Sequence, residues 1–224
     1  MQLHPFPLLR QFSDRLNVAL FTKSDDVRSD ADAAVAIGAP RAAGLWQKHG
    51  NRTVILRNPS ARTEQADGML TDTPGLALCL RMADCQNFVV YAPERGVAGV
   101  VHVGWKGLIA GTIPEFFRAL KNEWGIDGDD VFVGAGPSLC RKCAEFSDPA
   151  HELPSIPQRF IDGKKVDLQG AAAAQMIDAG VRSDRIDRHL DCTRCDPGTY
   201  WTYRGGDREA VIEGHTNMLV CSMQ

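Results

Sequence analysis

The two stretches that decide the fold are GLALCLRMADCQNFVVYAP at residues 75–93 and VAGVVHVGWKGLIAGTI at residues 97–113. The first contains two apolar and β-branched runs, which predict two strands that meet near Asp84. VAGVVHVGW, residues 97–105, is apolar on both faces, as a central strand is. Several strands therefore follow one another here without an intervening helix.

The strongest helix prediction follows these strands. Between Gly107 and Trp124 the apolar side chains recur at helical spacing, at Ile113, Phe116, Phe117 and Leu120. Pro114 falls in the first turns, where a proline is tolerated, and Gly125 is a plausible stop. The segment predicts one helix from Gly107 to Trp124.

Weaker patterns predict the remaining elements. Further strands are predicted at residues 15–22, 52–57, 131–135 and 184–190. Helices are predicted at residues 25–37, entered through Asp25 or Asp26, and at residues 170–180. Residues 199–220 predict a hairpin with Gly205-Gly206 at its turn. Because some strands are adjacent and others alternate with helices, the pattern favours an α+β fold with mixed sheets.

Composition sets bounds on the class of protein. The 224 residues are 44% hydrophobic and 24% charged, which is ordinary for a globular chain of one large domain or two small ones. The formal net charge of −3 argues weakly against nucleic-acid binding. No targeting segment and no apolar run of about 20 residues is recognisable. We therefore expect a soluble, cytoplasmic protein with no membrane partner. No apolar surface stripe is obvious in the sequence, so we also expect a monomer.

Three short segments place candidate metal ligands beside glycines or strand ends: His49 in QKHG, Cys85 in ADC and His102 in HVGWKG. Separations of 36 and 17 positions do not match a zinc finger, whose ligands come in close pairs. They fit a site assembled by the tertiary fold, with three protein ligands and an open fourth position. Two imidazoles and a thiolate suit zinc, and copper nearly as well. The alternative is an inert buried cysteine and two hydrogen-bonded loop histidines.

The order of motifs resembles that of a known family. MADCQNFVVYAP followed by VAGVVHVGWKGLIAGTI is similar to the T-A-D-C and H-A-G-W-R-G segments of the YfiH family, also called the laccase-domain or polyphenol oxidoreductase family. Upstream, QKHG resembles Q-V-H-G, and ADGMLTDTPGLAL resembles the segment before the cysteine. Downstream, GAGPSLCRKCAEFSD and DCTRCDPGTYWTYRGG resemble two further family stretches. The resemblance runs from about residue 45 to the last residue.

This resemblance implies a structure and an activity. It implies one domain over residues 1–224, layered α/β/β/α, with a zinc ion held by His49, Cys85 and His102. It implies phosphorolysis of adenosine, inosine and methylthioadenosine, and deamination of adenosine, with phosphate or water as co-substrate. Asp84 is then a candidate catalytic residue, as a general base or as a carboxylate that orients a ligand; the alternative is that it caps a turn.

Other pocket residues have both a functional and an ordinary interpretation. Trp105 could stack on a purine or could simply pack. Lys106 and Arg204 could hold phosphate or could be solvated surface charges. The chain also departs from the family pattern: SDDVRSDADAAVAIGAP at residues 24–40 replaces a longer segment that family members use around the substrate, and Asn87 replaces a usual proline. The replaced segment bears on substrate specificity, and the departures together mark a divergent member.

Three alternative functions remain open from the sequence. A copper-dependent polyphenol oxidoreductase would need further copper ligands, and the remaining histidines form no His-x-His pair: His4, His151, His189 and His215. A non-catalytic, metal-stabilised binding protein is favoured by the shortened segment at residues 24–40 and by two C-x-x-C pairs, Cys140/Cys143 and Cys192/Cys195. A hydrolase with Cys85 as nucleophile and His102 as its base is the third.

A second cysteine pattern lies outside the three candidate ligands. The chain has seven cysteines, and four of them form two C-x-x-C pairs, Cys140/Cys143 and Cys192/Cys195. The 48 residues between the pairs exceed a zinc-ribbon loop. The pairs can still form a structural zinc site with four cysteine ligands if the fold brings them together; otherwise they are reduced thiols.

Overall fold

Two six-stranded sheets form the body of the protein in a computed structural model that describes residues 1–224. The first sheet contains, in spatial order, β1 (Gln2–Leu3), β2 (Leu16–Phe21), β14 (Asn217–Met223), β7 (Leu76–Met82), β3 (Arg41–Trp46) and β5 (Ser60–Gln65). The second contains β13 (Ile186–Arg188), β10 (Phe132–Ala135), β8 (Gln86–Ala92), β9 (Val97–Val103), β6 (Gly68–Thr71) and β4 (Thr53–Ile55). A small ribbon pairs β11 (Ile161–Asp162) with β12 (Lys165–Val166).

Seven helices accompany the sheets: α1 (Pro7–Arg10), α2 (Asp30–Ala36), α3 (Trp105–Ala110), α4 (Thr112–Trp124), α5 (Pro149–Glu152), α6 (Leu168–Asp178) and α7 (Arg208–Ile212). None is both long and apolar enough to cross a lipid bilayer. Helix α2 begins after Ser29, whose hydroxyl accepts a hydrogen bond from the Asp32 N–H. Its predicted start at Asp25 or Asp26 is wrong, because residues 23–25 form a separate turn of 3-10 helix.

Three apolar layers show how the sheets and helices stack. Side chains of both sheets, including Leu78, Leu219 and Val100, pack together between the sheets. Helices α4 and α6 cover the outer face of the second sheet, and α2 covers the outer face of the first. The predicted α+β class and α/β/β/α layering are therefore confirmed. The complete burial of β8 and β9 explains why those segments are apolar on both faces.

Two predicted elements are wrong in detail. The helix predicted from Gly107 to Trp124 is two helices, separated at Gly111, which adopts a left-handed conformation with φ 74°. The hairpin predicted at residues 199–220 is absent: residues 208–212 form α7, and only residues 217–223 form a strand. That strand pairs with β2 and β7 instead of with its own sequence neighbours.

The chain crosses repeatedly from the first sheet to the second at one edge. Strands β3, β5 and β7 are parallel neighbours, so their carboxyl ends lie together. Each is followed by a strand of the second sheet, namely β4, β6 and β8. The three connecting segments, residues 47–52, 66–67 and 83–85, therefore meet at this edge.

Candidate metal centre

The three candidate ligands come from this edge of the sandwich. His49 lies in the connection at residues 47–52, Cys85 lies in the connection at residues 83–85, and His102 lies near the end of β9. They are far apart in sequence, but the imidazole nitrogens and the thiol sulfur all lie within 4.8 Å of one another. The structure thus brings together the three residues predicted as ligands.

The pairing of β8 with β9 explains why Cys85 approaches His102. These antiparallel strands are joined by a short connection at one end, and at the other end Asn87 pairs with His102 and Gln86 with Val103. The next position before Gln86 is Cys85, which therefore reaches the open end of the hairpin beside His102. A register set by two fully buried strands places the two ligands.

Asp67 holds the third ligand in place and was not singled out from the sequence. Its buried carboxylate accepts hydrogen bonds, at 2.8–3.2 Å, from the backbone N–H groups of Lys48, His49 and Gly50. Its carbonyl oxygen accepts the His102 N–H at 2.7 Å. One residue therefore fixes both histidine backbones, and its only signal in the sequence was the family-like ADG segment.

The free nitrogen of His102 points to a ligand. His102 Nδ1 lies 2.6 Å from Asn87 Oδ1. Because this oxygen can only accept a hydrogen bond, the imidazole proton is on Nδ1 and Nε2 has a free lone pair. Nε2 is buried and has no hydrogen-bond partner. Metal-binding histidines characteristically have this arrangement, with the second nitrogen held by an oxygen. Asn87, noted only as a departure from the family pattern, is therefore part of the site.

The close packing of the backbone and the imidazole rings around the three candidate ligands is also consistent with a bound ion. A Cβ atom at Gly104 would lie 2.6 Å from Cys85 Sγ and 3.3 Å from His49 Cδ2. The rings of His49 and His102 stand edge to face, with centroids 5.0 Å apart. The donor set, the spacing and the unpartnered nitrogen together fit a borderline-soft cation such as zinc or copper.

Electrostatics leave the histidines neutral and the thiol protonated until a cation binds. Burial lowers the pKa of His102 to about 3, and partial desolvation lowers the pKa of His49 despite the nearby charge of Asp67. Burial, together with the carboxylates of Asp84 and Asp67, raises the pKa of Cys85 to about 12. A cation stabilises the thiolate, so binding at neutral pH would release the Cys85 proton.

The carboxylate of Asp84 is fully engaged by one neighbouring segment. Its Oδ1 accepts hydrogen bonds from the hydroxyls of Thr193 at 2.7 Å and Thr202 at 2.6 Å, and its Oδ2 accepts the Arg204 N–H at 2.7 Å. This geometry ties residues 193–204 to the backbone immediately before Cys85. It favours an orienting role for Asp84 over a general base, and the catalytic role stays a prediction.

A cavity of about 690 Å³ opens onto the three ligands. Its walls include three cationic side chains, Arg81, Lys106 and Arg204. Trp105 also lines the cavity, but its indole ring packs edge-on against Phe146. The Lys106 ammonium lies 5.4 Å from the centroid of the Trp105 ring. The cavity is of the size that binds drug-sized ligands.

One other group of side chains comes as close together as these three ligands. The sulfur atoms of Cys140, Cys143, Cys192 and Cys195 lie within 4.8 Å of one another. His4, His151, His189 and His215 belong to neither group.

Comparisons with known proteins identify the family and the fold of the chain. The model of the family described as multi-copper polyphenol oxidoreductase laccase matches residues 12–221. The fold is also that of a hypothetical protein YfiH from Bacillus licheniformis, with a TM-score of 0.84, 18% identity, and coverage of 98% of this chain and 99% of that one. The chain therefore belongs to the laccase-domain family, the YfiH family, as its motifs predicted.

Relatives in sequence carry names of nucleoside enzymes. A purine nucleoside phosphorylase of Bacteroides thetaiotaomicron is 29% identical over 137 residues, which are 57% of this chain and 51% of that protein. An adenosine deaminase from an unknown prokaryotic organism is 26% identical over 178 residues, 74% of this chain and 65% of that protein. The matched region thus spans about half of the first relative and about two thirds of the second.

Proposed function

We propose that residues 1–224 act as one domain, a zinc-dependent purine nucleoside enzyme. Its reactions would be phosphorolysis of adenosine, inosine and methylthioadenosine, and deamination of adenosine. The observation that carries the proposal is the cluster of His49, Cys85 and His102, which opens into a cavity large enough for a nucleoside. The names of the sequence relatives supply the substrate class.

The chain's own residues would divide the work of binding and positioning. A zinc ion bound by the three ligands would supply a Lewis acid that lowers the pKa of water and polarises a substrate oxygen. Arg81, Lys106 and Arg204 would attract the phosphate, because they are the cationic side chains that line the cavity. Asp84 would keep the segment that contains Arg204 against the site.

Two changes distinguish the proposed metal centre from its alternatives. We expect purified wild type to contain zinc and to release adenine, hypoxanthine and ammonia from adenosine. Cys85→Ala should lose one equivalent of zinc and should no longer release these products. Cys221→Ala is a matched control, because Cys221 is a buried free thiol in β14 and belongs to neither ligand group. Omission of phosphate should stop phosphorolysis and leave deamination unchanged.

Each other outcome rejects a defined part of the proposal. Retention of all zinc by Cys85→Ala would mean that Cys85 is not a ligand. Loss of zinc from the variant, with no turnover of adenosine by wild type, would leave the centre correct and the substrate wrong. Copper in wild type, with oxidation of phenols, would favour the activity that the family description names. Alkylation of Cys85 at equal rates with and without metal would favour a cysteine nucleophile.

A further inference from the structure

The two C-x-x-C pairs meet because two short strands are parallel neighbours. Strands β10 and β13 pair in parallel, and one pair of cysteines follows each strand: Cys140 and Cys143 after β10, Cys192 and Cys195 after β13. The carboxyl ends of parallel neighbours lie at the same edge of a sheet. An isolated parallel bridge between Ser138 and Cys192 continues the pairing into the loops.

The distances between the sulfur atoms suit a single ion. Cys143 Sγ and Cys140 Sγ lie 3.5 Å and 3.9 Å from Cys195 Sγ, and all four cysteines are free thiols. A tetrahedral zinc with bonds of about 2.3 Å places its sulfurs roughly 3.8 Å apart. A two-iron cluster would need the sulfurs on opposite irons to lie farther apart than the 4.8 Å that contains all four.

The two pairs form the same local structure. The Cys143 N–H donates to the Cys140 carbonyl at 2.9 Å, and the Cys195 N–H donates to the Cys192 carbonyl at 3.1 Å. Each turn therefore presents both of its sulfurs to the same side. The Cys140 N–H also donates to Cys192 Sγ at 3.2 Å, a bond that stabilises a thiolate across the two loops.

Basic residues lie within both pairs. Arg141 and Lys142 separate the cysteines of the first pair, and Arg194 is inside the second. Four thiolates around one divalent cation carry a net charge of −2, which these side chains offset. The acidic residues Asp191 and Asp196 flank the second pair and oppose part of that effect.

We propose that Cys140, Cys143, Cys192 and Cys195 bind one structural zinc ion, and that this ion fastens the loop after β13 to the loop after β10. All four ligands are protein thiolates, so no position is left for substrate. The ion would act as a cross-link in addition to the hydrogen bonds that already join the two loops, among them those from Cys140 N–H to Cys192 Sγ and from Arg194 to the Cys143 carbonyl.

The cross-link would support one wall of the substrate cavity. Thr193 lies between the two cysteines of the second pair. Its hydroxyl donates a hydrogen bond to the Asp84 carboxylate, and its backbone N–H donates one to the Ser138 carbonyl. The Leu139 N–H donates to the Asp84 carbonyl at 3.2 Å, and both Ser138 and Leu139 line the cavity. The four-cysteine site is therefore coupled to the residue that precedes Cys85.

Metal content in a background that lacks the other centre tests the proposal. We expect the full chain with Cys85→Ala to retain one equivalent of zinc by mass spectrometry. Addition of Cys143→Ser or Cys195→Ser should remove that equivalent, whereas the matched change Lys142→Ser, within the same turn, should not. Zinc content that is equal in the cysteine and lysine variants would overturn the proposal, as would an equivalent of iron in place of zinc.

A second measurement uses unmodified protein and so does not depend on how the variants fold. Cys195 is exposed, so a free thiol there is accessible to iodoacetamide, whereas a thiolate bound to zinc is protected. We expect peptide mapping of the native protein to find Cys195 unalkylated until a chelator is added. Equal alkylation with and without chelator, or a disulfide between any two of the four cysteines, would overturn the proposal.

Discussion

Two residues at the candidate metal centre have strained backbones. His49 and Asp84 both adopt left-handed conformations, with φ 59° and 87°, and each lies where the chain passes between sheets. Such a conformation costs a non-glycine residue about 1–2 kcal/mol. The carboxylate of Asp67 holds the first crossing, and Thr193 helps to hold Asp84 in the second. These hydrogen bonds offset the strain and set the directions of the adjacent ligands.

Gly104 should be essential for the metal centre for a steric reason. Gly104→Ala would place a methyl group 2.6 Å from Cys85 Sγ, so we expect a folded protein that loses the one equivalent of zinc at this centre. Gly50→Ala is the matched control, because its nearest neighbour would be Asp67 Oδ2 at 3.7 Å. Metal analysis and circular dichroism would check both, and equal zinc contents in the two variants would contradict the expectation.

Asp84→Asn separates an orienting role from a general base. The amide keeps one acceptor oxygen for the threonine hydroxyls, but its NH2 group cannot accept the Arg204 N–H. We therefore expect a loss of about 1–3 kcal/mol in the free energy of unfolding. Turnover should fall partially, with the pH profile unchanged. Abolished turnover together with loss of the acidic limb of that profile would instead identify a general base.

Burial of His102 should make the metal-free protein sensitive to acid. Its pKa is about 3 in the folded state and about 6.5 when unfolded, so between these values only the unfolded chain takes up the proton. The contribution of neutral His102 to the free energy of unfolding is constant above about pH 7. Below about pH 6.5 it falls by up to about 1.4 kcal/mol per pH unit. Urea unfolding of chelator-treated protein from pH 7 to 4 measures the slope. His102→Gln should reduce it, and an unchanged slope would contradict the assignment.

Among the secondary-structure elements, one glycine divides a predicted helix into two. The Gly111 N–H closes α3 by donating to the Gly107 carbonyl, and the Gly111 carbonyl accepts the Glu115 N–H that begins α4. The left-handed conformation at Gly111 redirects the chain between the two helices. As a result α3 stays next to β9, the strand that contains His102, while Phe116 and Leu120 of α4 pack into the core.

Gly111→Ala should destabilise the protein through the backbone. A Cβ atom would meet only Pro114 Cγ, at 3.4 Å, so the cost comes from the φ of 74°. We expect the free energy of unfolding to fall by about 1–2 kcal/mol with zinc content unchanged. Gly111→Asn should cost less, because asparagine tolerates this conformation better. Urea denaturation compares the two, and an equal loss in both would argue against the backbone explanation.

For the whole molecule, the packing of one sheet on the other keeps the crossings in register. The layer between the sheets includes Leu219 from the first and Val100 from the second, both fully buried. The connections that contain His49 and Cys85 both run from the first sheet to the second, so a shift of one sheet relative to the other would move both candidate ligands. The geometry of the candidate metal centre therefore depends on packing that involves none of its three candidate ligands.

Leu219→Ala tests this inter-sheet layer. We expect a loss of about 2–5 kcal/mol in the free energy of unfolding, because removal of a buried side chain leaves a cavity. Ile212→Ala is the control: Ile212 is 71% exposed, and its loss should change stability by less than about 0.5 kcal/mol. Urea denaturation of the zinc-loaded proteins would check this, and similar losses in both variants would contradict it.

Local sequence patterns were sufficient to identify most strands and the family. The apolar runs at residues 76–82, 86–92 and 97–103 are strands as predicted, since burial on both faces leaves a signal that needs no knowledge of partners. The hairpin predicted at residues 199–220 failed because a glycine pair also suits an open loop. Its last segment found its partners in β2 and β7, which are distant in sequence.

The sequence by itself identified the candidate ligands of the metal centre. Imidazole and thiolate chemistry belongs to single residues, and the motifs around His49, Cys85 and His102 are specific. Their convergence, and that of the two C-x-x-C pairs, was decided only by the tertiary structure. So were the roles of Asp67 and Asn87, which hold the histidines through hydrogen bonds across separate segments. The physical reason is that strand pairing and sheet packing depend on contacts between distant segments, which no local pattern records.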